Sequence, residues 1–261
     1  MVMIVQVQSD IHLEMPYNRF NLNINEDAEV LVFCGDVFNF TIVKHELTLL
    51  QKMFQTIKVP VIFVNGNHDY YTTNGESIQT IKDKYKKFFQ NTNVHMLDNE
   101  SVTINGVKFI GSTLWSDFDG KDLDPIFTRD ATRYLADFRY IKDFSLSACS
   151  NFNKIAREFL ESELETGDEP KFVVSHFVPT YNATAPKFLD DTMNPYFMSS
   201  CDELISKADW WAFGHTHTSF DFYQDGCHLI CNPLGYGDEN PMFRQVLIET
   251  KGDNRHEKGC A

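Results

Sequence analysis

The chain has 261 residues, 43% of them hydrophobic, and carries 23 Lys+Arg against 37 Asp+Glu for a formal charge of −14. That length suits one domain with a sizeable core, and so acidic a surface repels long nucleic acids, which it argues against as partners. A small phosphate ester stays open as a partner, because bound divalent cations reverse the local sign of a pocket.

In chain order, the first predicted element is an apolar, β-branched strand, MIVQVQ, which runs into Ser9-Asp10-Ile11-His12. The next strand, EVLVFC, runs into Gly35-Asp36. Val43, Leu47, Leu50, Phe54 and Ile57 then recur at helical spacing and predict an amphipathic helix. A third strand, VIFVN, ends in Gly66-Asn67-His68-Asp69, and Ile78, Ile81, Tyr85 and Phe88 predict a second helix. This β-α-β-α-β opening predicts parallel strands with crossover helices. After about Val94 the strands shorten (VTI, KFIGST). Phe152, Ile155, Phe159 and Leu164 predict the apolar stripe of a third helix. KFVVS ends at His176, DWWAF ends in Gly214-His215-Thr216-His217, and SFDFY, HLICN and RQVLIE complete a sheet-rich second half. One domain over residues 1–250 is expected, followed by a frayed tail over 251–261.

Cys227 and Cys231 are the only close cysteine pair, and four strand steps separate them by roughly 13 Å, too far for a disulfide. No Cys-x-x-Cys motif occurs. The N-terminus lacks a basic segment and a signal-peptide apolar run, and no apolar stretch approaches the ~20 residues that cross a bilayer. A cytoplasmic protein with reduced thiols and no membrane partner is expected.

Five strand ends therefore deliver metal-ligand residue types, and in an open α/β sheet such ends share one crevice. Carboxylate oxygen, imidazole nitrogen and a neutral amide oxygen suit intermediate divalent cations. The absence of cysteine from all five clusters argues against a structural zinc-thiolate site. Asp10, His12, Asp36, Asn67, His176, His215 and His217 are too many ligands for one ion. They match two ions sharing a carboxylate, a pair that at roughly 3.5–4 Å separation can act on phosphorus. Taken singly, Asp10 reads equally as a helix cap and Asn67 as a turn residue.

Asp-x-His, Gly-Asp, Gly-Asn-His-Asp, a lone His after a strand and Gly-His-Thr-His, in that order from Asp10 to His217, resemble the calcineurin-like metallophosphoesterase superfamily. The later CNPLGY segment, Cys231 to Tyr236, looks like the strand end that often follows in bacterial-type members. The resemblance implies a four-layer α/β/β/α sandwich. It implies that Asp10, His12 and His217 hold one metal, that Asn67, His176 and His215 hold the second, and that Asp36 bridges them. Two divalent ions are implied as cofactors, manganese foremost, with iron, zinc, nickel or cobalt as alternatives. A hydroxide between them would attack the phosphorus of a small mono- or diester, with His68 as general acid and Asn39 or Asp69 orienting it.

Two departures bear on the branch within the superfamily. Gly35-Asp36-Val37-Phe38-Asn39-Phe40 lacks the second Asp and the Arg that protein Ser/Thr phosphatases carry, and has Asn39 where purple acid phosphatases place a tyrosine. Phe177 stands where many relatives have a second histidine. Residues 115–144, with Arg129, Arg133 and Arg139, form either a lid whose arginine meets the substrate phosphate or a packed surface loop. Residues 179–195, with Tyr181, Lys187 and Phe188, allow the same pair of readings. Glu14 reads as a support of the site or as a surface residue, and His45, His95, His228 and His256 as ordinary surface or core. Two rivals remain: a non-catalytic scaffold of this fold that binds a partner protein, and a metallopeptidase, for which no His-Glu-x-x-His helix exists. Oligomeric state is left open.

Overall fold

The computed structural model describes residues 2–18 and 22–250; the predicted tail 251–261 lies outside them. In chain order the elements are β1 (Met3–Gln8), β2 (Val30–Cys34), α1 (Lys44–Thr56), β3 (Val61–Val64), α2 (Ile78–Phe88), β4 (Val94–Met96), β5 (Glu100–Ile104) and β6 (Val107–Ser112). There follow α3 (Pro125–Tyr134), α4 (Asp137–Tyr140), α5 (Leu146–Leu164), β7 (Lys171–Ser175), α6 (Asn194–Phe197), α7 (Asp202–Ile205), β8 (Trp210–Phe213), β9 (Phe220–Gln224), β10 (Cys227–Cys231) and β11 (Val246–Thr250).

The strands form two sheets, ordered β11-β1-β2-β3-β4 and β5-β6-β7-β8-β10-β9. Within the first, β1 to β4 run parallel and β11 antiparallel. In the second, β6, β7, β8 and β10 run parallel between antiparallel edge strands β5 and β9. The central strands are apolar on both faces, as parallel strands covered on both sides must be. Val30, Val32 and Cys34 of β2 join Phe172 and Val174 of β7, and Trp210 and Ala212 of β8, in a core between the sheets. The alternate residues Leu31, Phe33, Val173, Trp211 and Phe213 face outward into the core that also holds the helices. Period-two alternation thus produces the four α/β/β/α layers.

The third helix differs from its predicted stripe. In α5 the buried residues are Leu146, Cys149, Asn153, Ala156, Leu160 and Leu164, while Ile155 is 46% exposed. Phe152 and Phe159 are only half-buried. Small residues at 149, 153 and 156 let the helix approach closely, and the Asn153 amide is satisfied by the carbonyls of Leu114 and Trp115 and by Ser199 Oγ. Side-chain size and a buried polar network, rather than the most apolar residues, set the buried face.

The two sheets are stitched together at the carboxyl ends of their parallel strands. Ser9, following β1, pairs with Pro233. The amide N–H groups of Ser9, Leu234 and Gly235 donate to the carbonyls of Asn232, Ser9 and Asp10. Asn232 Nδ2 donates to the carbonyls of Val7 and Arg244. This is the role of the CNPLGY segment.

Candidate metal centre

Each of the seven predicted ligands lies just past a strand, where the chain turns sharply. Asp10, His12, Asp36, His215 and His217 all adopt left-handed φ values, between 48° and 70°. Such conformations cost non-glycine residues on the order of 1 kcal/mol or more each, and they cluster at functional sites held by surrounding structure. Here the hold is visible in the hydrogen bonds. The N–H groups of Asp10 and His12 donate to the carbonyls of Gly35 and Asp36, and that of Gly214 donates to His176 O. The N–H of His215 reaches both Asp10 carboxylate oxygens. Glycines permit the close approach: a Cβ on Gly35 would strike the His176 ring, and one on Gly66 would strike the Asp36 carboxylate.

The side chains converge as two groups. One oxygen or nitrogen from each of Asp10, His12 and His217 lies within 4.8 Å of the others, and the same holds for Asp36, His176 and His215. Asp36 stands between them, its Oδ2 3.7 Å from His12 Nε2 and 3.4 Å from His176 Nε2. Asn67 Oδ1 lies 3.0 Å from His176 Nε2. A third group joins His12, Asp36 and His68.

Tautomers decide what this arrangement can hold. His12 Nδ1 donates to Glu14 Oε1 at 2.9 Å, His217 Nδ1 to Glu239 Oε2 at 2.7 Å, and His176 Nδ1 to the Cys34 carbonyl at 2.8 Å. With their protons committed outward, the inner nitrogens present lone pairs. His12 Nε2 and His217 Nε2 then face one another at 3.1 Å; His176 Nε2 faces His215 Nδ1 at the same distance, and His215 Nε2 is buried with no hydrogen-bond partner among the described residues. Electron-rich atoms this close repel unless a proton or a cation lies among them. The donor set of carboxylate, imidazole and amide oxygen fits divalent cations.

Protons on these imidazoles can fill that role. Burial opposes charge on His217, but its hydrogen bonds to Asp10 and Glu239 outweigh it and raise it to about 10. Burial likewise opposes charge on His176, and the Asp36 carboxylate raises it to about 9. His215 is held well below the usual histidine range by burial and by His176. Burial pushes Asp36 up, yet His176 and His68 hold its carboxyl well below the usual range.

His68 sits at the rim of the centre. Its ring stacks on Tyr71 at 4.2 Å, its Nδ1 bonds Glu14 Oε1 at 3.2 Å, and its Nε2 bonds the Tyr236 hydroxyl at 3.1 Å. Burial opposes its charge, and Asp36 and Glu14 together raise its pKa. Neither predicted orienting residue touches this ring. Asn39 Nδ2 donates to the His68 carbonyl. Asp69 accepts the N–H groups of Asp36, Val37, Phe38 and Gly66. Both therefore shape the backbone that carries the site, while the ring belongs to Glu14 and Tyr236. The Glu14 side chain, 7% exposed, is shared between His12 and His68.

A cavity of about 350 Å³ opens over these residues, lined by Asn67, His68, His215 and His217 on one side. Its outer walls are Tyr134 to Asp137 and a set of residues between Thr184 and Met198. Both segments predicted as lids thus contribute, the first of them not through Arg133 or Arg139. Arg133 and Arg139 are exposed and outside the lining; Arg139 donates to the Arg133 carbonyl, and the Arg133 guanidinium lies over the Tyr134 ring. Asp137, like Glu239, is a residue the motifs missed. Its buried carboxylate accepts from Asn67 Nδ2 at 2.8 Å and from the hydroxyls of Tyr71 and Tyr196. Phe177, in place of a second histidine, stacks on His215 at 4.2 Å.

Comparison with known proteins bears on the family and the fold. The family model described as calcineurin-like phosphoesterase matches residues 4–219. An uncharacterised protein of Acanthamoeba polyphaga mimivirus is 25% identical over 216 residues, 74% of this chain and 75% of that protein. The structure is similar to a phosphopantetheinyl hydrolase from Mycobacterium tuberculosis, with a TM-score of 0.66 and 18% identity over 90% of each chain. It is also similar to a dimetal phosphatase from Danio rerio, with a TM-score of 0.52 and 13% identity over 88% of this chain and 86% of that one.

Proposed function

This chain belongs to the calcineurin-like phosphoesterase family, and on that premise we propose that it hydrolyses a phosphate mono- or diester at a centre of two divalent cations. The observation that carries this reading is the pair of inward-facing imidazole contacts at 3.1 Å, one on each side of Asp36. Asp10, His12 and His217 would hold one ion, Asn67, His176 and His215 the other, and Asp36 both. Manganese is the ion proposed first. Such cations, when bound, supply charge stabilisation at phosphorus and activation of a water.

The chain's own residues supply the proton. His68 lies beside Asp36 and Glu14, which favour its charged form, the form that can give a proton to a leaving alkoxide. Glu14 braces Nδ1, and the face of the ring is fixed by Tyr71, so Nε2 is the atom that gives up the proton. Because Glu14 also holds His12, the acid and one ligand are positioned by a single carboxylate. Cys34, Cys149, Cys201 and Cys231 are free and buried, which fits a reducing, cytoplasmic setting.

The test is hydrolysis of p-nitrophenyl phosphate and bis(p-nitrophenyl) phosphate by chelator-stripped protein given back Mn²⁺, with bound metal counted. Metal-restored turnover of either ester is expected. Protein that takes up two ions yet turns over neither would sink the hydrolytic reading.

A further inference from the structure

The cavity above the centre has a charge and a surface that select the organic part of the substrate, and this inference rests on the phosphoesterase reading. Where the phosphoryl group would sit, the floor is made of His68 and the ligand residues. Beyond that floor the lining is Tyr71, Tyr134, Leu135, Phe188 and Phe197, together with the acids Asp137, Asp191 and Glu239. Among the described residues, none that lines the cavity is Lys or Arg. Two basic side chains flank this wall: Lys187 lies over the Phe188 ring, 4.7 Å from its centroid, and Arg133 over the Tyr134 ring.

Two physical consequences follow. Tyr134 is 66% exposed and Phe188 39% exposed at the mouth. Aromatic faces left partly open beside a polar centre gain most by covering apolar or aromatic surface, or a cation. A second anionic group on the substrate would instead meet Asp137, Asp191 and Glu239 along that wall, where no Lys or Arg belongs to the lining and the flanking Lys187 and Arg133 are held over the Phe188 and Tyr134 rings. Such juxtaposition of like charges is how sites reject ligands.

We propose that the substrate is an ester with a single phosphoryl group whose organic arm is apolar or aromatic and carries no further negative charge. Esters bearing a second phosphate or a carboxylate on that arm are the compounds this wall excludes. Asp191 and Phe188, on the same segment, are the residues that set this selection: one by charge, the other by contact area.

The experiment uses Mn²⁺-loaded full-length protein and three matched esters: phenyl phosphate, 3-(aminomethyl)phenyl phosphate and 3-carboxyphenyl phosphate. Affinities of the corresponding non-hydrolysable phosphonates are measured in parallel by calorimetry. The neutral and amine-bearing compounds are expected to exceed the carboxylated one by about tenfold or more in kcat/KM, with the same order in Kd, in line with one unfavourable charge contact. Asp191→Lys should narrow that gap, and Phe188→Ala should raise KM for the neutral ester about tenfold through lost aromatic contact. Equal or better handling of the carboxylated ester and phosphonate would overturn the inference while leaving the hydrolytic reading intact. Failure of all three esters to show metal-restored turnover would remove both together.

Discussion

Replacing Asp137 by Asn tests whether the cavity wall controls the metal centre. The carboxylate is acceptor-only, so the Asn67 side chain can face it only with Nδ2, at 2.8 Å, which leaves Oδ1 toward His176 and the proposed second ion. An amide at 137 is nearly isosteric but neutral, and it offers a donor of its own. Asn67 can then turn over, presenting an NH₂ where a ligand oxygen is required. Exchanging a charge-assisted hydrogen bond for a neutral one costs roughly 1–1.5 kcal/mol, so affinity for the second ion should fall about tenfold. Losses of about 10–100-fold are usual when the partner of a metal ligand is changed. Three bonds weaken together, since Tyr71 and Tyr196 also donate to this carboxylate, which sums to roughly 3 kcal/mol and about 6–12 °C in Tm for a chain of this size. The assay is metal titration followed by calorimetry or mass spectrometry of bound ions, with thermal unfolding alongside. Tyr196→Phe is the control: it removes one donor without touching Asn67, so Tm should drop while both ions stay. If Asp137→Asn lost stability but bound two ions with wild-type affinity, the positioning argument would be refuted.

Asp36→Asn should abolish binding of both ions and turnover together, because one oxygen set serves both groups; retention of two ions by this variant would rule out a shared ligand. His68→Ala should keep both ions but lose rate by about 10²–10⁴-fold, most for esters with poor leaving groups, and full activity on an alkyl ester would show that the proton comes from elsewhere. The stability of the chelated protein should depend on pH above neutrality. His217 and His176, raised to about 10 and about 9, contribute stability that is complete below their unfolded value near about 6.5 and is lost as pH rises through their folded values. The Tm of chelated protein should therefore fall further between about pH 7 and about pH 9.5 than that of metal-loaded protein, where cations replace those protons; parallel profiles would show that the two histidines are not charged in the metal-free fold.

Much of this was legible in the chain itself. Continuous apolar, β-branched runs marked the central strands and a period-3.6 pattern the first two helices, because burial on both sheet faces or along a helix stripe leaves a local signature. All seven proposed ligands stood at strand ends, since a parallel sheet can deliver side chains from distant segments to one crevice only at the carboxyl ends of its strands. The buried face of α5 was not legible: Asn153 and Cys149 are buried because of the carbonyls they meet, which lie far away in sequence. Glu14 was ambiguous for the same reason, since its value depends on holding His12 and His68 at once.

What the sequence determined by itself is the set of proposed ligand residues and the order in which strands present them, both of which depend on residue type and short-range pattern. What only the tertiary structure decided is the second set of carboxylates. Glu239 fixes the proton of His217, and Asp137 fixes the amide of Asn67. Neither sits in a motif with its partner, because a hydrogen bond needs closeness in space alone, and here 22 and 70 residues of chain separate the groups it joins.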